Sequence, residues 1–218
     1  MTQLDANLAI FEEAGRMFAD LIEDLDEDQL ARPATDEWTV RDLVGHTTRA
    51  LTTVDAYLDE RADHPDHHTP SGYYHQAIQT IDNASIAERG REAGQALGDQ
   101  PAVFVRDLLE RVLDRLEALT DEGDGDHRVD PVIVTRGGSM HLSAYLPTRT
   151  LELVLHCLDL ARALGCDLMV PVDPMRQTIQ VLSELVLLDG HGASLARALS
   201  GRGSLPEGYS VFAGIRAR

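Results

Sequence analysis

The residues with the clearest potential for chemistry are a glutamate and a histidine four positions apart. Glu152 and His156 lie in the segment 149–156, whose other residues are mostly apolar. Residues four apart share one face of a helix, with their Cβ atoms about 5–6 Å apart. A carboxylate on an apolar helix is costly to bury unless it is paired, protonated or bound to a metal. This spacing therefore indicates a metal site.

A metal site needs a third ligand from elsewhere in the chain, and we expect His46 to supply it. This histidine lies beside the apolar stripe of another predicted helix, between Leu43 and Ala50. The alternative is a core histidine that is satisfied by a hydrogen bond. Two histidines and one glutamate would leave coordination positions open, which is typical of catalytic rather than structural zinc sites. An open zinc site activates a bound water or thiol.

Three further residues are candidates for a role near this site. Arg149 precedes Glu152 by three positions and could act as a catalytic or binding residue that orients a carboxylate of a thiol or substrate; the alternative is a structural salt bridge. Trp38, the only tryptophan, packs beside a helix cap or lines a ligand pocket. Cys157 follows His156 directly and points about 100° away from the ligand face, so we interpret it as buried filler rather than as a nucleophile.

The periodicity of apolar residues predicts the helices that would position these groups. Thr39 and Asp42 resemble a capping box at the start of the helix that carries His46. Pro147 is expected to begin the helix that carries Glu152 and His156, and Gly165 to end it. The remaining helices are predicted over residues 3–25, over 73–97 with less regularity, from Pro101 to about Leu119, and from Asp173-Pro174 to about Leu199.

Two other patterns complete the predicted fold. Residues 131–135 and 139–144 flank Arg136-Gly-Gly138, which predicts a β-hairpin with an exposed His141. Residues 61–72 and 121–130 are predicted loops: the histidines of the first are expected to be solvated, and the acidic residues of the second lack the spacing of a calcium-binding loop. The sequence predicts a mainly α single domain over 1–218, with a core at 3–165 and a C-terminal helix and tail at 173–218.

The charge and the residue composition limit which molecules the protein could bind and in which compartment it works. The formal net charge is −18, which argues against nucleic acid and anionic lipid as partners. All 19 basic residues are arginine, so lysine chemistry is excluded and a bacterial genome of high GC content is indicated. Two cysteines do not make a disulfide framework, and no signal peptide or membrane span is evident. We expect a cytoplasmic monomer or homodimer.

Together, the two ligand motifs resemble a known family. Trp38-Thr-Val-Arg-Asp-Leu-Val-Gly-His46 and Arg149-Thr-Leu-Glu152-Leu-Val-Leu-His156 are similar to the paired motifs of the mycothiol-dependent maleylpyruvate isomerase family, within the DinB-like superfamily. The resemblance runs over most of residues 5–165. It implies a DinB-like up-and-down four-helix bundle and a divalent metal, most often zinc, bound by His46, Glu152 and His156. It also implies mycothiol or a similar thiol as co-substrate.

The resemblance favours a zinc-dependent thiol S-transferase or isomerase, in which the metal-bound thiolate attacks an electrophilic substrate. The isomerase itself carries a separate α/β domain after its bundle, whereas only about fifty residues follow Gly165 here. The metal and thiol chemistry is therefore expected more strongly than the isomerase reaction. The alternatives are a non-catalytic metal-binding DinB-like protein with a role in stress or detoxification, and a helical interaction module.

Overall fold

The structure is a computed structural model that describes residues 2–80, 83–119 and 129–212. These residues are mainly helical, with one small antiparallel hairpin, as predicted. The elements of the first half are α1 (Gln3–Ile22), α2 (Glu27–Leu30), α3 (Val40–Tyr57), α4 (Pro70–Thr80), α5 (Asn83–Ala96) and α6 (Pro101–Glu117). The hairpin of β1 (Val132–Thr135) and β2 (Gly138–His141) is followed by α7 (Leu142–Leu164), α8 (Val172–Leu188) and α9 (Gly192–Leu199).

Four long helices surround the main core. α1 and α3 each pack against both α6 and α7, so the four helices form a ring. Burial of their apolar faces is the main force that holds such helices together. The core side chains exposed by no more than 1% include Phe11, Phe18, Leu51, Leu109 and Leu153. This ring places α3 and α7, which carry the predicted ligands, side by side.

The start of α3 is held by the predicted capping box. The Thr39 hydroxyl accepts a hydrogen bond from the Asp42 backbone N–H, and the Asp42 carboxylate accepts one from the Thr39 backbone N–H. Further along, α3 packs closely against α5 because neither helix carries a side chain where they cross. A Cβ atom added at Gly45 would lie 2.2 Å from the backbone nitrogen of Gly94. This crossing fixes the helix turn that presents His46.

The helix that carries Glu152 begins earlier than predicted. α7 starts at Leu142, and Pro147 lies inside it rather than at its start. A proline within a helix lacks the N–H that would bond to the carbonyl four residues earlier. Here that carbonyl, on Ser143, accepts a 2.7 Å hydrogen bond from the side-chain amide of Asn7 on α1. The helix therefore continues through Pro147 because α1 supplies the missing donor.

The C-terminal helix also differs from the prediction. It begins at Val172, and Asp173 pairs with Arg176 instead of capping the first turn. It is divided into α8 and α9 because Gly190 adopts a φ of +78°, which breaks the helical path. Ile179 on α8 is 56% exposed. The described part of the tail, residues 200–212, contains turns and no strand.

Two predicted segments between α3 and α6 also need correction. The single helix expected over 73–97 is two helices, α4 and α5. In the loop over 61–69, His67 is buried rather than solvated, since its Nε2 lies 2.8 Å from the Gly137 carbonyl oxygen. The predicted acidic loop over 121–130 lies almost entirely outside the described residues. Among the helices that the structure describes, none has the length and apolar character needed to cross a membrane.

Candidate metal centre

The packing of α3 against α7 brings the three predicted ligands together. One possible ligand atom from each of His46, Glu152 and His156 lies within 4.8 Å of the other two. Glu152 Oε2 is 2.9 Å from His156 Nε2, as expected for residues four apart on one helix. The rings of His46 and His156 have centroids 4.8 Å apart and meet edge to face. This is a cluster of two imidazoles and one carboxylate that fits a divalent metal.

His46 is prepared to act as a ligand. Burial, together with the positive charge of His156, lowers its pKa to about 3, so the imidazole is neutral at pH 7. Its buried Nδ1 has no hydrogen-bond partner among the described residues. A buried polar atom without a partner is costly. A metal ion bound by the neutral ring would account for its placement.

Glu152 and His156 behave as a pair. Burial alone would raise the pKa of Glu152, but the hydrogen bond and charge of His156 lower it far below its usual range. Burial alone would lower the pKa of His156, but the carboxylates of Asp159 and Glu152 raise it above the ordinary value. Without metal the pair is therefore an ion pair. A metal would take the place of the proton on His156, since metal ligands must be deprotonated.

Tyr74 on α4 also belongs to this cluster. Its hydroxyl lies 2.5 Å from Glu152 Oε1, and Arg149 Nη2 lies 3.5 Å from the same hydroxyl. The sequence did not indicate this residue, because α4 has weak apolar periodicity and the contact joins positions far apart in the chain. The only local signal was the consecutive pair Tyr73-Tyr74 in a polar stretch.

Arg149 lies beside the candidate ligands, against Thr148 and Tyr145. Its Nε donates a 3.0 Å hydrogen bond to the Thr148 hydroxyl, and its guanidinium stacks 4.9 Å from the centre of the Tyr145 ring. Within the described part of the chain no carboxylate forms a salt bridge with it. The guanidinium is therefore available to an anionic group in the cavity.

Trp38 packs against α5 and His46 and also lines the cavity. Its ring centroid lies 4.6 Å from that of His46. Its indole N–H donates a 3.1 Å hydrogen bond to the Ala87 carbonyl of α5. The ring also lies against Gly90, where a Cβ atom would come within 2.6 Å of it. Trp38 is thus a packing residue that also lines the cavity in front of the ligands.

The ligands open onto a cavity of about 1060 Å³. Its described lining includes six of the ten aromatic residues of the chain: Trp38, Tyr57, Tyr73, Tyr74, Tyr145 and Phe212. It also includes five arginines against three acidic residues: Arg49, Arg89, Arg136, Arg149 and Arg162 against Asp36, Glu152 and Asp159. A protein of net charge −18 thus concentrates positive charge around one cavity, which favours an anionic ligand there.

The other candidates near the site have structural roles. Cys157 is fully buried, and burial raises the pKa of its thiol, which disfavours the nucleophilic thiolate. Asp159 and Arg162 form an ion pair, with 3.4 Å between Oδ1 and Nη2. Neither observation supports a second reactive centre beside the three candidate ligands.

A helical protein with two histidines and a glutamate at the wall of a large cavity has the layout of a metal-dependent binding protein or enzyme. The family model described as the mycothiol maleylpyruvate isomerase N-terminal domain matches residues 11–161. The chain belongs to that family, as its motifs predicted. No curated protein and no solved structure matches the chain. The matched segment contains the three ligand candidates, Tyr74 and Arg149, and ends before α8.

Proposed function

We propose that the protein is a zinc-dependent thiol S-transferase or isomerase that uses mycothiol or a similar low-molecular-weight thiol. The scaffold is a DinB-like up-and-down four-helix bundle made from α1, α3, α6 and α7, within a single domain over 1–218. The observation that carries the proposal is the convergence of His46, Glu152 and His156 on one cavity. Family membership supports mycothiol as the thiol.

The donor set favours zinc among divalent metals. Two imidazoles and one carboxylate are the ligands of several catalytic zinc sites, which keep a position open for water or substrate. When bound, zinc would hold a thiol as its thiolate, the nucleophilic form. His46, Glu152 and His156 would hold the metal, and α3 and α7 keep them in place through the helix ring.

The residues around the ligands suit an anionic, electrophilic substrate. Arg149 would orient its carboxylate, because the guanidinium faces the cavity without an ionic partner among the described residues. In a transferase, the thiol sulfur would add to one carbon of an electrophilic double bond, the adjacent carbon would take up the proton lost by the thiol, and the thioether adduct would leave. In an isomerase, the same bond breaks again after rotation about the former double bond.

Metal content is the first test. We expect one equivalent of zinc per chain in protein purified without a histidine tag, and loss of most of it in His46→Ala, Glu152→Gln and His156→Ala. The matched control is His141→Ala, since that side chain is 44% exposed on β2. Full metal occupancy in all three ligand variants would show that the site is wrongly placed.

Thiol binding is the second test. With cobalt in place of zinc, titration with mycothiol should produce an intense near-ultraviolet band from a cobalt–sulfur bond. The fluorescence of Trp38 should also report the titration, because this only tryptophan lies 4.6 Å from His46. Metal binding without any sulfur band, and without thiol consumption by a panel of electrophiles, would leave a non-catalytic metal-binding protein.

A further inference from the structure

The hydroxyl of Tyr74 lies among polar groups beside Glu152. Tyr74 is 6% exposed and lies on α4, outside the ring of long helices. Its oxygen lies 2.5 Å from Glu152 Oε1, 3.0 Å from the Thr148 carbonyl oxygen and 3.5 Å from Arg149 Nη2. Two acceptors, on Glu152 and Thr148, thus compete for the hydroxyl proton, while Arg149 donates toward the hydroxyl oxygen.

Tyr74 donates its hydroxyl hydrogen bond to Glu152. A tyrosine hydroxyl has one proton to donate, and both Glu152 and Thr148 offer acceptors. The carboxylate is closer, and a hydrogen bond to an ionised acceptor is roughly twice as strong as a neutral one. Arg149 can only donate, so it approaches the lone pairs of the hydroxyl oxygen. The polar chain therefore runs from Arg149 through Tyr74 to Glu152.

This arrangement assigns different tasks to the two oxygens of Glu152. Oε1 accepts the hydrogen bond from Tyr74, while Oε2 faces the histidines and lies 2.9 Å from His156 Nε2. A carboxylate can bind a metal through one oxygen or through both. With Oε1 already engaged, Oε2 is the oxygen left for a metal.

The ring of Tyr74 is held firmly enough to impose that choice. It packs edge to face against Phe212 of the tail, with centroids 6.0 Å apart. It also belongs to a buried apolar cluster with Leu151, Val181 and Leu185, from α7 and α8. Because α8 and the tail close around the ring, the hydroxyl is fixed relative to Glu152.

We propose that Tyr74 is a positioning residue that makes Glu152 a one-oxygen ligand and so keeps a coordination position open for the thiol. The inference rests on the proposed metal centre and deepens it. It assigns Tyr74 no contact with substrate. Its effect is on the geometry and affinity of the metal site.

The test compares Tyr74→Phe with Tyr73→Phe in the full-length protein. Both variants remove one hydroxyl from α4, but among the described residues the Tyr73 hydroxyl has a single hydrogen-bond contact, at 3.4 Å with the Thr135 hydroxyl, and none with a candidate metal ligand. We expect Tyr74→Phe to weaken zinc affinity about 10- to 100-fold in a chelator competition titration, as loss of a hydrogen bond to a metal ligand typically does. Tyr73→Phe should bind zinc like the unmodified protein.

Cobalt separates a positioning role from a merely structural one. In Tyr74→Phe, Oε1 is free to bind the metal as well, so the coordination number rises and the visible absorption bands of cobalt should lose intensity. Unchanged zinc affinity, or an unchanged cobalt spectrum with only a lower melting temperature, would overturn the inference while leaving the metal centre intact. Absence of metal binding in the unmodified protein would instead reject the proposed function itself.

Discussion

The two helices beside the cavity hold their candidate ligands in different ways. On α3, His46 is held by packing: it lies against Trp38, and its Nδ1 has no hydrogen-bond partner among the described residues. On α7, Glu152 and His156 are held by polar contacts with each other, and Tyr74 adds another. Packing against neighbouring side chains thus holds His46, whereas hydrogen bonds hold Glu152 and His156.

The difference determines what each side should tolerate. A packed site responds to changes in volume, because interiors are dense and relax only partially. A hydrogen-bonded site responds to loss of a single polar atom even when volume is preserved. We therefore expect volume changes to disturb the α3 side and isosteric polar changes to disturb the α7 side.

The largest effect is expected at the crossing of α3 and α5. A methyl group at Gly45 would meet the Gly94 backbone at 2.2 Å, and backbone yields less easily than a side chain. Gly45→Ala should lower the free energy of unfolding by about 3 kcal/mol, the upper end of ordinary overpacking, as measured by urea denaturation. Gly203→Ala is the control, since its nearest contact is 3.3 Å. Equal stability of the two variants would show that this crossing is not tight.

The next effect concerns Trp38. Trp38→Leu should lower the free energy of unfolding by about 2 kcal/mol. This is less than the 3–5 kcal/mol typical of truncating a fully buried ring, because Trp38 is only half-buried. It should also weaken zinc binding, whereas Trp38→Phe keeps an aromatic ring against His46 and should retain most of the affinity. Both variants lose the hydrogen bond to Ala87. Equal zinc affinities in a competition titration would show that packing does not place His46.

A smaller effect is expected at Phe212, which supports Tyr74 from the tail. Phe212→Ala should lower the free energy of unfolding by about 1 kcal/mol, measured by heat or urea, because the ring is only partly buried. It should reduce zinc affinity less than Tyr74→Phe does, since the hydroxyl remains. Leu199→Ala is a suitable control, as this tail-side leucine is 81% exposed. If Phe212→Ala matches that control in both measurements, the tail does not support the ligand.

The smallest effect involves the loop before α4. Hydrogen bonds from the backbone and hydroxyl of Ser139 lower the pKa of Asp66 below its ordinary value of 3.8. At pH values above 3.8, the ionised Asp66 carboxylate should therefore stabilise the fold. This stabilisation should be lost as the pH falls through the lowered pKa of Asp66. Melting temperatures of the unmodified protein and Asp66→Asn should differ at pH 7 and converge in acid. Asp63→Asn is the control, and a difference that persists at low pH would contradict this assignment.

The sequence pointed to the three candidate ligands through local patterns, and the structure places them together. The spacing of Glu152 and His156 places them on one helical face whatever the rest of the fold does. The Thr39 capping box defined the start of α3 and hence the phase of His46. His46 was chosen from its place beside an apolar stripe, and the family motifs then supported pairing α3 with α7, since nothing in either helix alone specifies its neighbour.

The contacts that the sequence missed are those made across the fold. Tyr74 reaches Glu152 only because α4 packs against α7 and α8. Pro147 was misread as a helix start because the donor that lets α7 pass through it comes from Asn7 on α1. The break between α8 and α9 is different, because it arises from a local residue, Gly190. The apolar pattern on both sides of Gly190 predicted one continuous helix instead.

The hydrogen bond from Asn7 to Ser143 limits how the chain can be shortened. Asn7 also accepts a 2.9 Å hydrogen bond from Gln177 on α8, and both residues lie outside the segment 11–161 that defines family membership. A fragment cut at those limits would leave the Ser143 carbonyl without its donor, at a cost of about 1–3 kcal/mol. The same fragment would also expose to solvent the surfaces of α7 that pack against α8 and the first turns of α1. The residues that the family model matches thus leave out contacts that stabilise α7.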